Sequence, residues 1–307
     1  MKKDSLLVIG LSPALQKTLL FDSVSLNDIN RAKEIFYSAG GKAVHTAIAS
    51  SKFFSAVTLI HCTGGNNGEK LKELIFSQPF SKINIEIAES TRMCTTLLHD
   101  SMMTELIEPS PKLSKNEQSK ILECIHEHSA QSDALILAGT YPKCFDHDFY
   151  TTVVNRTKKD CFVCLDAHQN VMPALKSSKV NLLKINQEEL RKVTGLEDLH
   201  ESVEQLLEDF PETTLAITDG PGTAWFFSRN VQYKYSIPKI NCLNPIGAGD
   251  TVTGVTVAQF LSDYELDDAF QYGLAAATAS CLSYIGADFS EEKALEIYRD
   301  IKKERVK

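Results

Sequence analysis

Short apolar runs recur along the chain, at 6–11, 56–60, 134–138, 161–165, 180–185 and 215–218, and most end in a small or polar residue. None alternates strictly between apolar and polar positions, which suits parallel strands buried on both faces. Segments of helical spacing separate most of them, at 44–53, 69–75, 115–128, 187–193 and 199–209. The repeat of strand, helix and strand predicts an α/β fold, a mostly parallel sheet with right-handed crossovers and flanking helices. Two stretches break this rhythm, about 12–37 and 83–107, where polar and apolar residues alternate roughly, as in Met93-Cys94-Thr95-Thr96-Leu97-Leu98. They read as strands of a small inserted sheet, a candidate lid over a cleft. In open sheets ligands bind beyond the carboxyl ends of the strands. Here those ends lead into Ser12-Pro13, Gly139-Thr140, Asp166-Ala167, Asn186 and Asp219-Gly220.

The 307 residues allow one large domain, 1–307, with the lid as its insertion. A composition of 43% hydrophobic and 23% charged residues is ordinary for a globular chain with a sizeable core. No apolar run has the length to cross a bilayer, and the first, 6–9, is too short for a signal segment. A cytoplasmic protein with no membrane partner is expected. The net charge of −8, without a Lys/Arg cluster, argues against a nucleic-acid partner. Anionic ligands would have to be met by helix N-termini, a few placed cations and a divalent metal. The eight cysteines are scattered. Cys161 and Cys164 spell CxxC within a strand-like run, where residues three apart point to opposite faces. His126 and His128 would stand about 200° apart on a helix, so one ion could not take both.

The segment Asn244-Pro245-Ile246-Gly247-Ala248-Gly249-Asp250-Thr251 precedes a small-residue, apolar helical stretch, 252–261. Its glycines allow a tight turn and close approach to a ligand. The helix start supplies unpaired N–H groups and the positive end of a dipole. A transferring phosphoryl group needs such a cradle, and Asp250 at its edge could take the proton of an attacking hydroxyl. A plain helix N-cap would use the same residue type.

At this point the chain resembles the PfkB, or ribokinase-like, family of sugar kinases, in its phosphosugar branch. The matches run in order along nearly the whole chain. Leu11-Ser12-Pro13-Ala14-Leu15 resembles the branch's NPALD segment. Gly40-Gly41-Lys42 resembles the start of GGKGxNVA, and Gly64-Gly65-Asn66-Asn67-Gly68 the GGxxG turn. Thr91-Arg92, Thr104-Glu105 and Glu108-Pro109 resemble TR…TEINEPGP, and Gly139-Thr140-Tyr141-Pro142 resembles GSLP. Lys184-Ile185-Asn186-Gln187-Glu188-Glu189 resembles KPNxxE, and Gly247 to Asp250 is GAGD.

The resemblance implies an ATP-dependent kinase. Asp250 would be the general base, with the amides of Ala248, Gly249 and Asp250 around the transferring phosphate and Gly247 in the same catalytic turn. Asn186 and Glu189 would organise Mg2+ through water, and Asn186, Thr218, Gly220, Gly222 and Gly247 would meet the nucleotide. Gln16, Gly40, Gly41, Lys42, His45 and Thr140 would line the sugar site, with Arg92 on the phosphate already present on the sugar. A monovalent cation beside the anion hole and a homodimer through the lid strands are further implications. For Asn186 and Glu189 a helix capping box is an equally simple arrangement. Arg92 could be an edge charge in water.

The departures from the family pattern fall in the sugar site. Gln16 stands where the branch has Asp, Ala43 where it has Gly, and His45 where it has Asn. Ala43 is expected to restrict a backbone that needs glycine's freedom, and His45 is bulkier than Asn and titratable. The expected acceptor is a phosphorylated ketohexose, first of all fructose 1-phosphate. Tagatose 6-phosphate, fructose 6-phosphate or another sugar is an alternative, as is a low-turnover binding protein with a kinase fold. The first βα turn lacks GxGxxG, which argues against a dinucleotide dehydrogenase.

Overall fold

The structure is a computed structural model that describes residues 4–99 and 102–306. In chain order its elements are β1 (Leu6–Ile9), β2 (Ala14–Leu20), β3 (Glu34–Gly40), α1 (Lys42–Ser51), β4 (Val57–Thr63), α2 (Gly65–Phe76), β5 (Ser81–Glu86), β6 (Arg92–His99), β7 (Met102–Ile107), α3 (Lys115–Ser129), β8 (Ala134–Ala138) and α4 (Phe149–Val154). There follow β9 (Phe162–Asp166), α5 (Met172–Leu175), β10 (Leu182–Asn186), α6 (Gln187–Thr194), α7 (Leu199–Asp209), β11 (Thr214–Asp219), β12 (Thr223–Phe227), β13 (Gln232–Ser236), α8 (Ala248–Leu261), α9 (Leu266–Ser280), α10 (Glu291–Asp300) and β14 (Lys302–Arg305).

Among the described residues, ten strands form one sheet in the order β14-β13-β12-β11-β10-β9-β8-β1-β4-β5. From β5 to β11 all neighbours are parallel, as the strand–helix repeat predicts. Both faces are covered. Leu6 and Val8 enter one apolar cluster with Val255, Phe270 and Ala294, while Leu7 and Ile9 enter the other with Ile121, Val153 and Leu206. That double burial removes any reason for alternation in the sequence. Cys161 and Cys164 join opposite clusters, consistent with their opposite faces.

Two parts of the sheet depart from the sequence reading. Beyond β11 the sheet continues through antiparallel pairs: β11–β12 and β12–β13 are hairpins, and β14 returns to pair with β13 after α8, α9 and α10. The start of the 83–107 stretch belongs to β5, which pairs in parallel with β4 and closes the far edge of the large sheet. Its alternation reflects an edge strand with one wetter side. Among the described residues the small sheet has four strands, in the order β3-β2-β6-β7.

The chain runs from β1 to β4 on one side and later enters β8 on the other, so the strand order reverses between β1 and β8. A ligand crevice is expected beyond such a point. The backbone after β1 (Gly10, Ser12) and after β8 (Gly139, Thr140) opens there into a cavity of about 330 Å³ under the small sheet. No helix among the described residues is long and apolar enough to cross a membrane.

Candidate active site

Two helix N-termini converge on this cavity. α1 starts behind Gly41, whose φ of 100° favours glycine and whose Cβ, if present, would lie 2.9 Å from Pro13 Cα. α8 starts behind Gly247, with φ 80° in the left-handed region. α8 is apolar all round because it is buried all round, packed between α1 and α9. Gly254 permits the close approach, since a Cβ there would meet the Thr46 carbonyl at 2.5 Å. Of the turn before α8, Ala248 N–H already donates to the Pro245 carbonyl at 3.2 Å. The Gly249 and Asp250 amides are then the first-turn donors left for a ligand.

The cavity brings together Gln16, Gly41, Lys42, His45, Arg92, Thr140, Gly247 and Asp250. The sequence places these in five separate segments. Gly40 does not line it but lies beneath Gln16, where a Cβ would sit 3.0 Å from Gln16 Cβ. Gln16 is buried and donates from Nε2 to Thr96 Oγ1 at 2.7 Å. Arg92 donates to the Ser12 carbonyl at 2.9 Å, which ties the start of β6 to the loop after β1. It is anchored, and so is not an edge charge free in water. His45 Nδ1 stands 2.9 Å from Asp250 Oδ2, and both residues are buried.

Ala43 does not strain the backbone. It lies inside α1, outside the positive-φ residues. Its methyl group fits because residue 10 is glycine. The expected penalty is thereby removed by a neighbour 33 positions earlier in the chain.

Beside the cavity lies a charged cluster that the sequence left largely unread. Lys42 Nζ reaches Asp166 Oδ1 at 2.9 Å and Glu189 Oε1 at 3.3 Å. Lys184 Nζ lies 3.6 Å from Asp166 Oδ2, and Thr253 donates to the same oxygen. Burial by itself would raise the Asp166 pKa, but the Lys184 and Lys42 ammonium groups outweigh it and hold the carboxyl below its ordinary value. Burial would likewise lower Lys42, and the surrounding Asp166, Asp250 and Glu189 carboxylates lift it well above the usual lysine range. Glu189 is also held down despite burial, by Lys42 and by the Asn186 N–H. Lys184 Nζ sits 2.9 Å from where a Cβ on Gly249 would be, so its charge abuts the first turn of α8. A lone lysine in the apolar run Leu182-Leu183-Lys184-Ile185 was the available signal for it. Glu105 on β7, also lining the cavity, has its pKa raised by burial and by Asp250, against the lowering influence of His45 and Arg92.

The sequence profile of pfkB family carbohydrate kinases matches residues 5–294. The chain belongs to that family.

The kinase is 26% identical over 309 residues to a tagatose-6-phosphate kinase of Staphylococcus epidermidis, covering 95% of this chain and 99% of that one. Its fold superposes on phosphofructokinase-2 from Escherichia coli, crystallised with substrates and products, with TM-score 0.88 and 19% identity, covering 96% and 99% of the two chains. A possible 1-phosphofructokinase from Thermotoga maritima gives TM-score 0.88 at 17% identity over 99% and 100%.

The remaining predicted positions of the kinase lie outside the cavity. Asn186 and Thr218 are register partners at the ends of the parallel strands β10 and β11, and Gly220, with φ 58°, and Gly222 form the turn that follows. The capping box exists as well: Asn186 Oδ1 accepts from Glu189 N–H at 2.8 Å, and Glu189 Oε2 from Asn186 N–H at 3.0 Å. The other Glu189 oxygen faces Lys42 and His168. Capping therefore occupies one oxygen of the carboxylate and leaves the other to the charged cluster. Among the described residues no group of three or more His, Cys, Asp or Glu could hold a metal ion.

Proposed function

We propose that this carbohydrate kinase transfers the γ-phosphoryl group of ATP to a hydroxyl of a phosphorylated ketohexose, with fructose 1-phosphate the first candidate. The observation that carries this reading is the single cavity that holds Asp250 at one wall and the anchored Arg92 at another. Its volume of about 330 Å³ suits a small sugar phosphate. A planar bidentate cation suits the phosphate the acceptor already carries. Tagatose 6-phosphate is a second reading, supported by the name of the Staphylococcus relative.

In the proposed step the acceptor oxygen attacks the γ-phosphorus and its proton passes to the Asp250 carboxylate. The bond from phosphorus to the β–γ bridging oxygen breaks, and ADP leaves with that electron pair. The Gly249 and Asp250 amides and the Lys184 ammonium stabilise charge on the transferring group. Asn186, Thr218, Gly220 and Gly222 form the nucleotide side. A Mg2+ ion on the phosphates would neutralise their charge and align them. Glu189 already has Lys42 and a backbone N–H as partners, so its donor set fits an ion held through water better than one bound directly. The small sheet excludes water, which protects ATP from hydrolysis.

The small sheet also supports a homodimer. By register, Leu19, Ile35, Leu97, Met102 and Leu106 share the face opposite Gln16 and Glu105. Ile35, Met102 and Leu106 are each more than half exposed, an apolar face that a second copy would cover.

The test is turnover of a panel of sugars and sugar phosphates by the purified protein with ATP. A ketohexose phosphate is expected to be consumed, and Asp250→Ala is expected to lower the rate by about 10² to 10⁴. Arg92→Gln should raise KM for that acceptor roughly 10- to 100-fold, the loss of a charge-assisted contact. Turnover of unphosphorylated sugars alone would overturn the acceptor class, and an unchanged rate in Asp250→Ala would remove the base.

A further inference from the structure

We propose that His45 is a positioning residue for Asp250, donating from Nδ1–H to Oδ2 so that the carboxylate presents its other oxygen to the acceptor. The proposal rests on the reading of Asp250 as the base. The two atoms lie 2.9 Å apart, although 205 residues separate them in sequence. A carboxylate can only accept, so the ring nitrogen facing it is the one that bears the proton. His45 is 3% exposed, and its Nε2 is buried with no hydrogen-bond partner among the described residues. The ring therefore offers the cavity a face and an edge, but no second polar atom.

The surroundings fix the ring in this orientation. A Cβ on Gly247 would stand 3.0 Å from Nδ1, and one on Gly286 would stand 2.9 Å from Nε2. Two glycines thus bracket the two nitrogens, and the imidazole fills the space they leave between the turn before α8 and the loop after α9. The same face of α1 grips α8 elsewhere through backbone acceptors: Thr46 Oγ1 reaches the Asp250 carbonyl at 3.4 Å and Ser50 Oγ the Gly254 carbonyl at 3.0 Å. These contacts join helix to helix. His45 alone of the three reaches the side chain that accepts the proton. The resemblance put a sugar-facing Asn at this position, and the geometry instead turns the residue toward the base.

The proton on Nδ1 can be observed without turnover. Long-range ¹H–¹⁵N correlation spectra of the ¹⁵N-labelled protein should show His45 Nδ1 protonated, and Asp250→Ala should return the ring to the Nε2–H tautomer. A bare Nδ1 in the wild type overturns the proposal, whatever the substrate proves to be. Kinetics, with whichever sugar the enzyme phosphorylates, supply the second arm. His45→Phe keeps a planar ring without the donor and should lower kcat about 10- to 100-fold, the effect of a misplaced reacting group, with KM changed less than about threefold. His45→Asn places an amide N–H close to the position of Nδ1 and should recover about tenfold of that loss. Equal kcat in the Phe and Asn variants, or a loss confined to KM, overturns the positioning role. Inactivity of the wild type toward every ketohexose phosphate, with Nδ1 protonated, instead defeats the functional reading and leaves the hydrogen bond standing.

Discussion

The Cβ of Ala43 occupies the space that a side chain on Gly10 would need: a Cβ built on Gly10 would lie 2.1 Å from it. Gly10 follows β1 and Ala43 lies in the first turn of α1, so this contact sets how closely the helix approaches the sheet at the cavity. Gly10→Ala should destabilise the protein by about 1–3 kcal/mol through overpacking. Adding Ala43→Gly should recover most of that loss, less the roughly 1 kcal/mol that glycine costs within a helix. Urea denaturation of the two single variants and the double variant measures the coupling. Additive losses would show that the two positions are independent.

Asp166 has two cations on one carboxylate at zero exposure. Asp166→Asn leaves the buried Lys184 without its counter-charge and should cost about 3–5 kcal/mol. Adding Lys184→Met should make the pair cheaper than the single substitution, because the stranded charge is gone. Thermal unfolding of the set tests this, and a double variant less stable than Asp166→Asn contradicts it.

Asp133 ties three segments together. It accepts from Asp4 N–H at 2.8 Å and Ser5 Oγ at 3.0 Å, and it pairs with Lys158. The hydrogen-bonded Lys158 ammonium, joined by those donors and opposed by slight burial, lowers its pKa from 3.8 to about 2. A carboxyl with a depressed folded-state pKa stabilises the fold fully above its unfolded value and loses that contribution as pH falls through the folded value. The stability gap between wild type and Asp133→Asn should therefore be constant above about pH 4 and shrink toward pH 2. Urea midpoints measured from pH 6 downward check the window, and a gap independent of pH would rule it out.

Leu106 and Ile35 lie on the face of the small sheet turned away from the cavity, 56% and 53% exposed. If a second copy covers that face, Leu106→Lys with Ile35→Glu should shift sedimentation toward the monomer and leave the far-UV spectrum unchanged. A wild type that sediments as a monomer at micromolar concentration would discard the lid dimer.

The parallel sheet could be read from the sequence because its strands are short apolar runs separated by helical spacing, and the glycine turn into α8 because Gly247 to Asp250 has a local geometric cause. The antiparallel extension β12–β14 was less visible. Its strands sit at the sheet's end and carry mixed residues such as Gln232-Tyr233-Lys234, whose pairing depends on the neighbour they find. Residues 83–86 looked like lid because alternation marks a half-wet strand in any sheet, and only the pairing of β5 with β4 assigns them to the large one.

Sequence alone determined the fold class and the family, since each depends on residue types at fixed local spacing. It left open what Gln16, Ala43 and His45 do, because their roles depend on partners distant in the chain. Gln16 is held by Thr96, Ala43 is accommodated by Gly10, and His45 is directed to Asp250. The pairing of Asp166 with Lys42 and Lys184 is of the same kind. A charge may be buried only where folding brings its counter-charge within reach, and that proximity exists only in the tertiary structure.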